Sequence, residues 1–284
     1  MQYNPLTETS QKTRKMDSEM MHAVEENSAE FLLAMGRAGG GEERNAGGIQ
    51  WTVGGSPLDY HNAVVRANLT LAACDAEIEA FQNALIANNV PGSWHLGPSM
   101  RPETLGKYLL ARGFSDDGDD LGMGLDLSLP PSAMQMPQAL EIVPVRTRQQ
   151  LADYADVLAQ GFGEGEREAR WVQEVFATTG LNADSPWQHL VGYVDAVAVT
   201  TATLFFTREI VGLYFIATAP LWRRQGLGAA ITLRALQAAR QRGARWAVLC
   251  ASAMGASVYR RIGFSELATI RIFTWRPPAL SFTS

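Results

Sequence analysis

Cysteine is nearly absent: the 284 residues hold two, Cys74 and Cys250, far apart in the chain. Two isolated thiols form neither a disulfide framework nor a cysteine-based metal cluster, so no metal is expected, and a reducing, cytoplasmic setting fits. No apolar run approaches the roughly 20 residues that span a bilayer, so no membrane association is expected. The opening MQYNPLTETSQKTRK lacks the apolar core of a secretory signal and reads as a polar tail over 1–15. Positive charge is not in excess either. Lys and Arg number 24 against 29 Asp and Glu, a net charge of −5. Nothing in that balance suggests a nucleic-acid partner.

What is there is an ordinary globular composition, 46% hydrophobic and 19% charged. The length suits two domains. The prolines of LPPSAMQMPQ (Pro130, Pro131, Pro137) mark a stiff linker over 130–139. It separates a first half, 16–129, from a second, 140–279.

In the first half a helix is expected over Met16–Met35, followed by a flexible loop, GRAGGGEERNAGG. That loop lacks the Gly-Lys-Ser/Thr ending of a phosphate loop. Strands are expected at Ile49–Val53, Asn62–Asn68, Ser93–Leu96 and Met123–Leu129. Helices are expected at Asp75–Asn89 and from Pro102 to Arg112, the latter stopped by Gly113. The acidic stretch Asp116, Asp117, Asp119, Asp120 lacks calcium-loop spacing and reads as a solvated turn.

The second half reads as strand Leu140–Val145 and helices Arg148–Gln160 and Glu166–Thr178. Three antiparallel strands follow at Gln188–Val194, Ala196–Phe206 and Ile210–Thr218. Then come helix Gly226–Arg242, strand Trp246–Cys250, helix Met254–Ile262 and strand Leu267–Trp275. This is a mixed α/β (α+β) architecture with a mixed sheet.

The chemistry concentrates in Ala217–Ala229, ATAPLWRRQGLGA. A strand ends, a basic glycine loop follows, and a helix begins. The first turn of a helix has unpaired N–H groups and the positive end of the macrodipole. Gly226 and Gly228 let a ligand come close, and Arg223 and Arg224 add charge. The combination suits a pyrophosphate. A dinucleotide fold would place a third glycine at Ile231, and a P-loop would place Lys-Ser/Thr after the glycine. Both nucleotide readings weaken.

Arg223-Arg224-Gln225-Gly226-Leu227-Gly228 resembles the coenzyme-A loop of the GNAT N-acetyltransferase family, Arg/Gln-x-x-Gly-x-Gly/Ala. Further on, SAMGASVYRRIGF resembles the family's Asn-x-x-Ala-x-x-x-Tyr followed by Gly-Phe, with Ser252 for the Asn, Gly255 for the Ala, and Tyr259 in place. The element order of 140–275 is similar to the family fold. KYLLARGF in the first half echoes YRRIGF in the second, so the chain resembles two GNAT-like domains in tandem, the first degenerate. Before its long helix stands ANLTLAACDAEIEA, without glycine loop or arginine pair. No productive coenzyme-A binding is expected there, only a cover for the sheet or a wall of the acceptor pocket.

The resemblance implies acetyl-CoA as co-substrate and transfer of its acetyl group to a primary amine, in a small molecule or a peptide, by direct attack. It implies that Ile216, Ala217 and Thr218 pair with the pantetheine arm, and that Arg223, Arg224, Gln225, Gly226, Leu227, Gly228, Ala229 and Ser252 belong to the cofactor site. Tyr259 would protonate the departing thiolate. The family's strand-borne base would fall at Gly212, which has no side chain. Tyr214 shares that face and stands as the second catalytic candidate, against the reading of a buried strand aromatic; Glu209 falls on the other face. Glu164, Glu166 and Glu168 either serve the acceptor or are a solvated helix start. His189 reads as a core histidine. Family members are often homodimers. The alternative function is a non-catalytic module that senses acyl-CoA.

Overall fold

The computed structural model describes residues 5–129 and 137–278, the side chains of 5–15 excepted. The first half begins with a long helix, α1 (Pro5–Ala38), which starts inside the stretch read as a polar tail. A hairpin follows, β1 (Glu42–Ala46) and β2 (Ile49–Val53). Gly47 and Gly48 join the strands at φ +67° and +82°. Two successive positive φ values make the turn whose twist suits a two-residue hairpin. The expected flexible loop is therefore a helix end, a turn and a charged edge strand. Then come β3 (Ala63–Ala67), α2 (Cys74–Asn88), β4 (Gly92–Leu96), α3 (Leu105–Ala111) and β5 (Ser115–Asp126). Pro102 sits in the turn before α3, where its carbonyl accepts from Leu105 N–H.

The second half holds β6 (Leu140–Pro144), α4 (Arg148–Phe162), α5 (Glu166–Thr179), β7 (Trp187–Val194), β8 (Val197–Thr207), β9 (Ile210–Thr218), α6 (Leu227–Gln241), β10 (Trp246–Ala251), α7 (Ala256–Ile262) and β11 (Ser265–Trp275). The local signals are direct. Thr147 and Gln150 form a capping box that starts α4, and Gly163 ends it in the left-handed region. Pro130 and Pro131 of the expected linker lie outside the described residues.

All eleven strands form one mixed sheet, ordered β1-β2-β3-β4-β11-β5-β10-β9-β8-β7-β6. The two halves exchange their last strands. β5 pairs antiparallel with β10, and β11 pairs antiparallel with β4. β5 and β11 lie side by side at the centre, antiparallel from Ser265↔Gly124 to Thr274↔Ser115. Two expectations change as a result. The boundary expected at 130–139 is none in the sheet, which strands of both halves share. The acidic stretch is no turn: it is the first part of β5. Its carboxylates are held across the ladder, where Arg271 bonds Asp116 and Thr274 donates to Asp117 Oδ2 at 2.7 Å.

α1, α4 and α5 pack on one face, where Phe31, Leu33, Leu151, Tyr154, Val172 and Phe176 share a core. α6 and α7 cover the other face of the second half through Ile231, Leu236 and Ile262. α2 and α3 cover that face of the first half through Phe81, Leu105 and Leu109. α1 runs on across the midline, where Met20 and Val24 meet Val248 of β10.

Candidate functional site

β9 and β10 run parallel but pair at only three places: Trp246↔Ile210, Ala247↔Val211 and Val248↔Gly212. Beyond them no ladder joins Leu213–Thr218 to Leu249–Ala251. The opening has a local cause. Phe215 stands at φ +52°, and the β8–β9 register slips between Thr201 and Thr203. An aromatic residue in the left-handed region is a strained bulge, on the order of 1–3 kcal/mol, which persists because its surroundings hold it. Thr201 Oγ1 donates to the Phe215 carbonyl at 3.0 Å. The ring is packed among Phe31, His61 and Phe176. The Ala217 carbonyl is turned to β8, where Thr200 Oγ1 donates to it at 2.7 Å. Alternation then turns the peptide groups of Ile216 toward the gap.

The mouth of this gap is the N-terminus of α6. Gly226 is its N-cap, at φ +80°, and no side chain caps the helix. The N–H groups of Leu227, Gly228 and Ala229 therefore have no partner within the helix. Gly228 lies beside the end of β9, and a Cβ built on it would sit 3.6 Å from Thr218 Oγ1. Arg223, Arg224, Gln225 and Gly226 are exposed. The two arginines differ. Arg223 is a brace: its Nε donates to the Thr218 carbonyl at 3.2 Å and its Nη2 to the Gly161 carbonyl at 2.6 Å. Arg224 has no ion-pair partner among the described residues, so its charge is available to an anion.

On the α6–α7 face, Tyr259 packs against the core and makes an edge contact with Phe264 at 5.9 Å. Burial pushes its phenol up to about 12, so it is protonated at neutral pH. A Cβ on Gly255 would sit 3.2 Å from the Tyr259 ring, so the glycine makes room for the tyrosine. Ser252 opens the turn into α7; its carbonyl accepts from Gly255 and Ala256 N–H, both at 3.0 Å.

On the opposite face α1 covers β9. The side chain of Asn27, fully buried, covers Gly212. Its Nδ2 donates to Thr207 Oγ1 at 2.7 Å, and its Oδ1 accepts from Tyr214 Oη at 2.7 Å. The Tyr214 ring stacks on Phe31 at 3.7 Å. Burial holds the Tyr214 phenol well above its ordinary value. Tyr214 is thus a donor locked into the contact between α1 and β9. Nor does Gly212 offer space for a base. A Cβ there would lie 1.9 Å from Asn27 Oδ1 and 2.4 Å from the Tyr214 ring. Gly212→Ala is expected to cost about 2–3 kcal/mol of stability, the size of an overpacked core, read from a urea midpoint. A wild-type midpoint would mean that Asn27 does not sit there.

The three glutamates separate. Glu168 Oε2 accepts from Gly165 N–H at 3.1 Å and caps α5. Glu166 is exposed in the first turn of that helix. Glu164 Oε1 accepts from Tyr60 Oη of the first half at 2.7 Å, and burial raises its carboxyl. His189 is in the core, stacked on Phe176 at 4.0 Å and bonded through Nδ1 to Thr203 Oγ1 at 2.8 Å. Asn27 and Tyr60 were not singled out by the sequence. Asn27 carried a signal, since it falls on the apolar stripe of Met20, Val24 and Phe31.

The first half has a matching gap, but it is filled. β3 and β4 pair in parallel only at Ala63↔Ser93 and Val64↔Trp94. Past them Arg101 N–H donates to the Ala67 carbonyl at 2.9 Å, and Leu69 N–H to the Arg101 carbonyl at 3.0 Å. The chain itself occupies the position that a ligand strand would take.

A splayed parallel pair, a strand bulge and an uncapped glycine-led helix form one site, and residues 182–266 match the acetyltransferase (GNAT) domain family. Residues 182–266 are a GNAT acetyltransferase domain. Solved structures resemble most of the chain in fold. A GCN5-related N-acetyltransferase from Kribbella flavida is 17% identical, with TM-score 0.67, over 89% of this chain and 97% of that one. A GCN5-related N-acetyltransferase from Sphaerobacter thermophilus is 16% identical, with TM-score 0.60, over 81% and 78%. A tandem GNAT protein from the clavulanic acid biosynthesis pathway is 12% identical, with TM-score 0.55, over 80% and 78%. At these identities the likeness is one of fold. No curated protein matches the sequence. The GNAT domain takes its central strand partner, β5, from outside the matched segment. Among the described residues there is no cluster of metal ligands and no helix long and apolar enough to cross a membrane.

Proposed function

We propose that this protein is an acyl-CoA-dependent N-acetyltransferase with one coenzyme site per chain, in the second half. The observation that carries the reading is the gap between β9 and β10, open at the uncapped N-terminus of α6. Leu227, Gly228 and Ala229 N–H groups and Arg224 would hold the pyrophosphate. The free edge around Ile216 would pair with the pantetheine amides as an added strand does. Arg223 serves by bracing the loop to β9 and α4. Acetyl-CoA supplies the acyl group to an amine. The degenerate first half, its own gap filled, provides β5 and the α1 cover instead of a second site.

In this reading Tyr259 is the acid. Its phenol stays protonated across the physiological range and can give a proton to the departing thiolate. Tyr259→Phe keeps the ring against Phe264 and removes only the hydroxyl. It is expected to lower kcat about 100-fold while acetyl-CoA binding stays unchanged. Thiol release from acetyl-CoA, screened over a panel of primary amines, measures both steps. Full activity in the variant would remove Tyr259 from the mechanism. Tight binding with no thiol release from any amine would favour a sensing module over an enzyme.

A further inference from the structure

Two cavities on the α1 face share a wall. The inner one, about 20 Å³, is bounded by Glu25 and Ser28 of α1, His95 of β4 and Cys250 of β10. The outer one, about 260 Å³, opens between α1 and the β2–β3 side of the sheet, with Asn45, Gln50 and Asn68 in its wall. Glu25 and Val65 line both, so the two are adjacent parts of one α1-side crevice with these side chains between them. Its inner end is well placed. Cys250 follows shortly after Val248, the last β10 residue paired with β9. The crevice thus reaches the sheet where the strands part, from the side opposite α6 and α7.

The charges along it are unbalanced. Glu25 Oε1 accepts from the N–H and the hydroxyl of Ser99, both at 2.9 Å. Glu25 Oε2 is buried and has no partner. No Arg or Lys pairs with Glu25 among the described residues. Arg66, the cation of the outer cavity, is held by Glu26 and Glu30, both at 2.9 Å. Burial lowers His95 to about 4, and its Nε2 bonds Ser93 Oγ at 2.9 Å, so it adds no charge at neutral pH. Asp120 and Glu25 both face Cys250; with burial as the larger cause they push its thiol up to about 12. A buried carboxylate oxygen without a partner is unfavourable unless a cation or a donor meets it.

We propose that this crevice takes the acceptor: a small, polar primary ammonium compound whose charged nitrogen docks on Glu25 and whose remainder faces Asn45, Gln50 and Asn68. This rests on the acyltransferase reading, and it makes the first half the acceptor-binding domain. The carboxylate that the strand position Gly212 cannot carry is provided by α1. An acceptor seated there approaches the gap from the face opposite Tyr259.

Cys250 is a built-in reporter at the inner end. The full chain is reacted with the cationic 2-aminoethyl methanethiosulfonate and with its anionic 2-sulfonatoethyl counterpart. Peptide mass mapping separates Cys250 from Cys74. Each rate is divided by that of the same reagent on free 2-mercaptoethanol. Wild type is expected to favour the cation about tenfold, a preference one nearby charge can supply. Glu25→Gln keeps an acceptor for Ser99 and loses one charge, so the preference should fall to the part that Asp120 supplies, with Tm unchanged. Equal preference in both proteins overturns the proposal. Acetyl-CoA titration separates the two readings. Binding in wild type and in Glu25→Gln alike is expected. If a Glu25-dependent preference is found without acetyl-CoA binding, the crevice is a cation site but not an acceptor site, and the proposal falls with the acyltransferase reading.

Discussion

Lowering the pH from 6.5 to 5 is expected to remove about 3 kcal/mol of folding stability. His61 and His189 are both buried. His61 is stacked on Trp171 at 4.8 Å, with Nδ1 against Ser56 Oγ at 3.1 Å. In both histidines Nε2 is buried without a partner. Burial depresses each to about 3. In the unfolded chain both return to about 6.5. Below that value the unfolded state binds protons that the folded state refuses, so stability is full above pH 6.5 and falls as the pH drops toward 3. Each histidine contributes up to about 1.4 kcal/mol per pH unit, half of that at 6.5 where the unfolded ring is half protonated, and the two together give the figure above. His95, lowered to about 4, acts in the same direction. Glu164 and Asp59, raised by burial, act in the opposite direction, holding protons in the folded state that the unfolded state has lost. Urea midpoints at pH 7, 6 and 5 read the slope, and His189→Gln should flatten it by one proton. A midpoint that does not move with pH would mean that these rings are charged or exposed.

Gly228→Glu should weaken acetyl-CoA binding at least about 100-fold, near 3 kcal/mol, and leave the fold intact. A side chain is accommodated at this position. A Cβ on Gly228 meets only Thr218 Oγ1, at the ordinary distance of 3.6 Å. Glutamate in the first turn also suits the helix dipole. Gly226 offers no such clean test, because its φ of +80° strains any side chain placed there. The new carboxylate competes with the pyrophosphate for the same N–H groups and repels it. Calorimetry and thermal unfolding, run together, check both parts. Undiminished binding with an unchanged Tm would place the coenzyme elsewhere.

Much of the framework of the candidate site was legible because its signals are local. The bounds of β9 agree with the alternation of Ile210–Thr218. The glycines of the loop mark the start of α6, and Gly263 ends α7 in the left-handed region. What could not be read depends on residues distant in the chain. The four aspartates of β5 look like a turn until Arg271 and Thr274 are set beside them. The exchange of β5 and β11 leaves no trace in a sequence window. Tyr214 had the right strand face for catalysis, but α1 puts Asn27 and Phe31 on top of it. Arg223 and Arg224 look equivalent in sequence; only the backbone carbonyls of Thr218 and Gly161 separate brace from free charge.

The central claim is one working coenzyme site in the chain, in its second half. Titration of the full chain with acetyl-CoA by calorimetry tests it most directly. The expected result is saturable binding at one molecule per chain, lost in Gly228→Glu. No binding, or two molecules per chain, would contradict the account. The first would make the open gap between β9 and β10 irrelevant to a ligand. The second would mean that the stitched gap beside Arg101 opens after all.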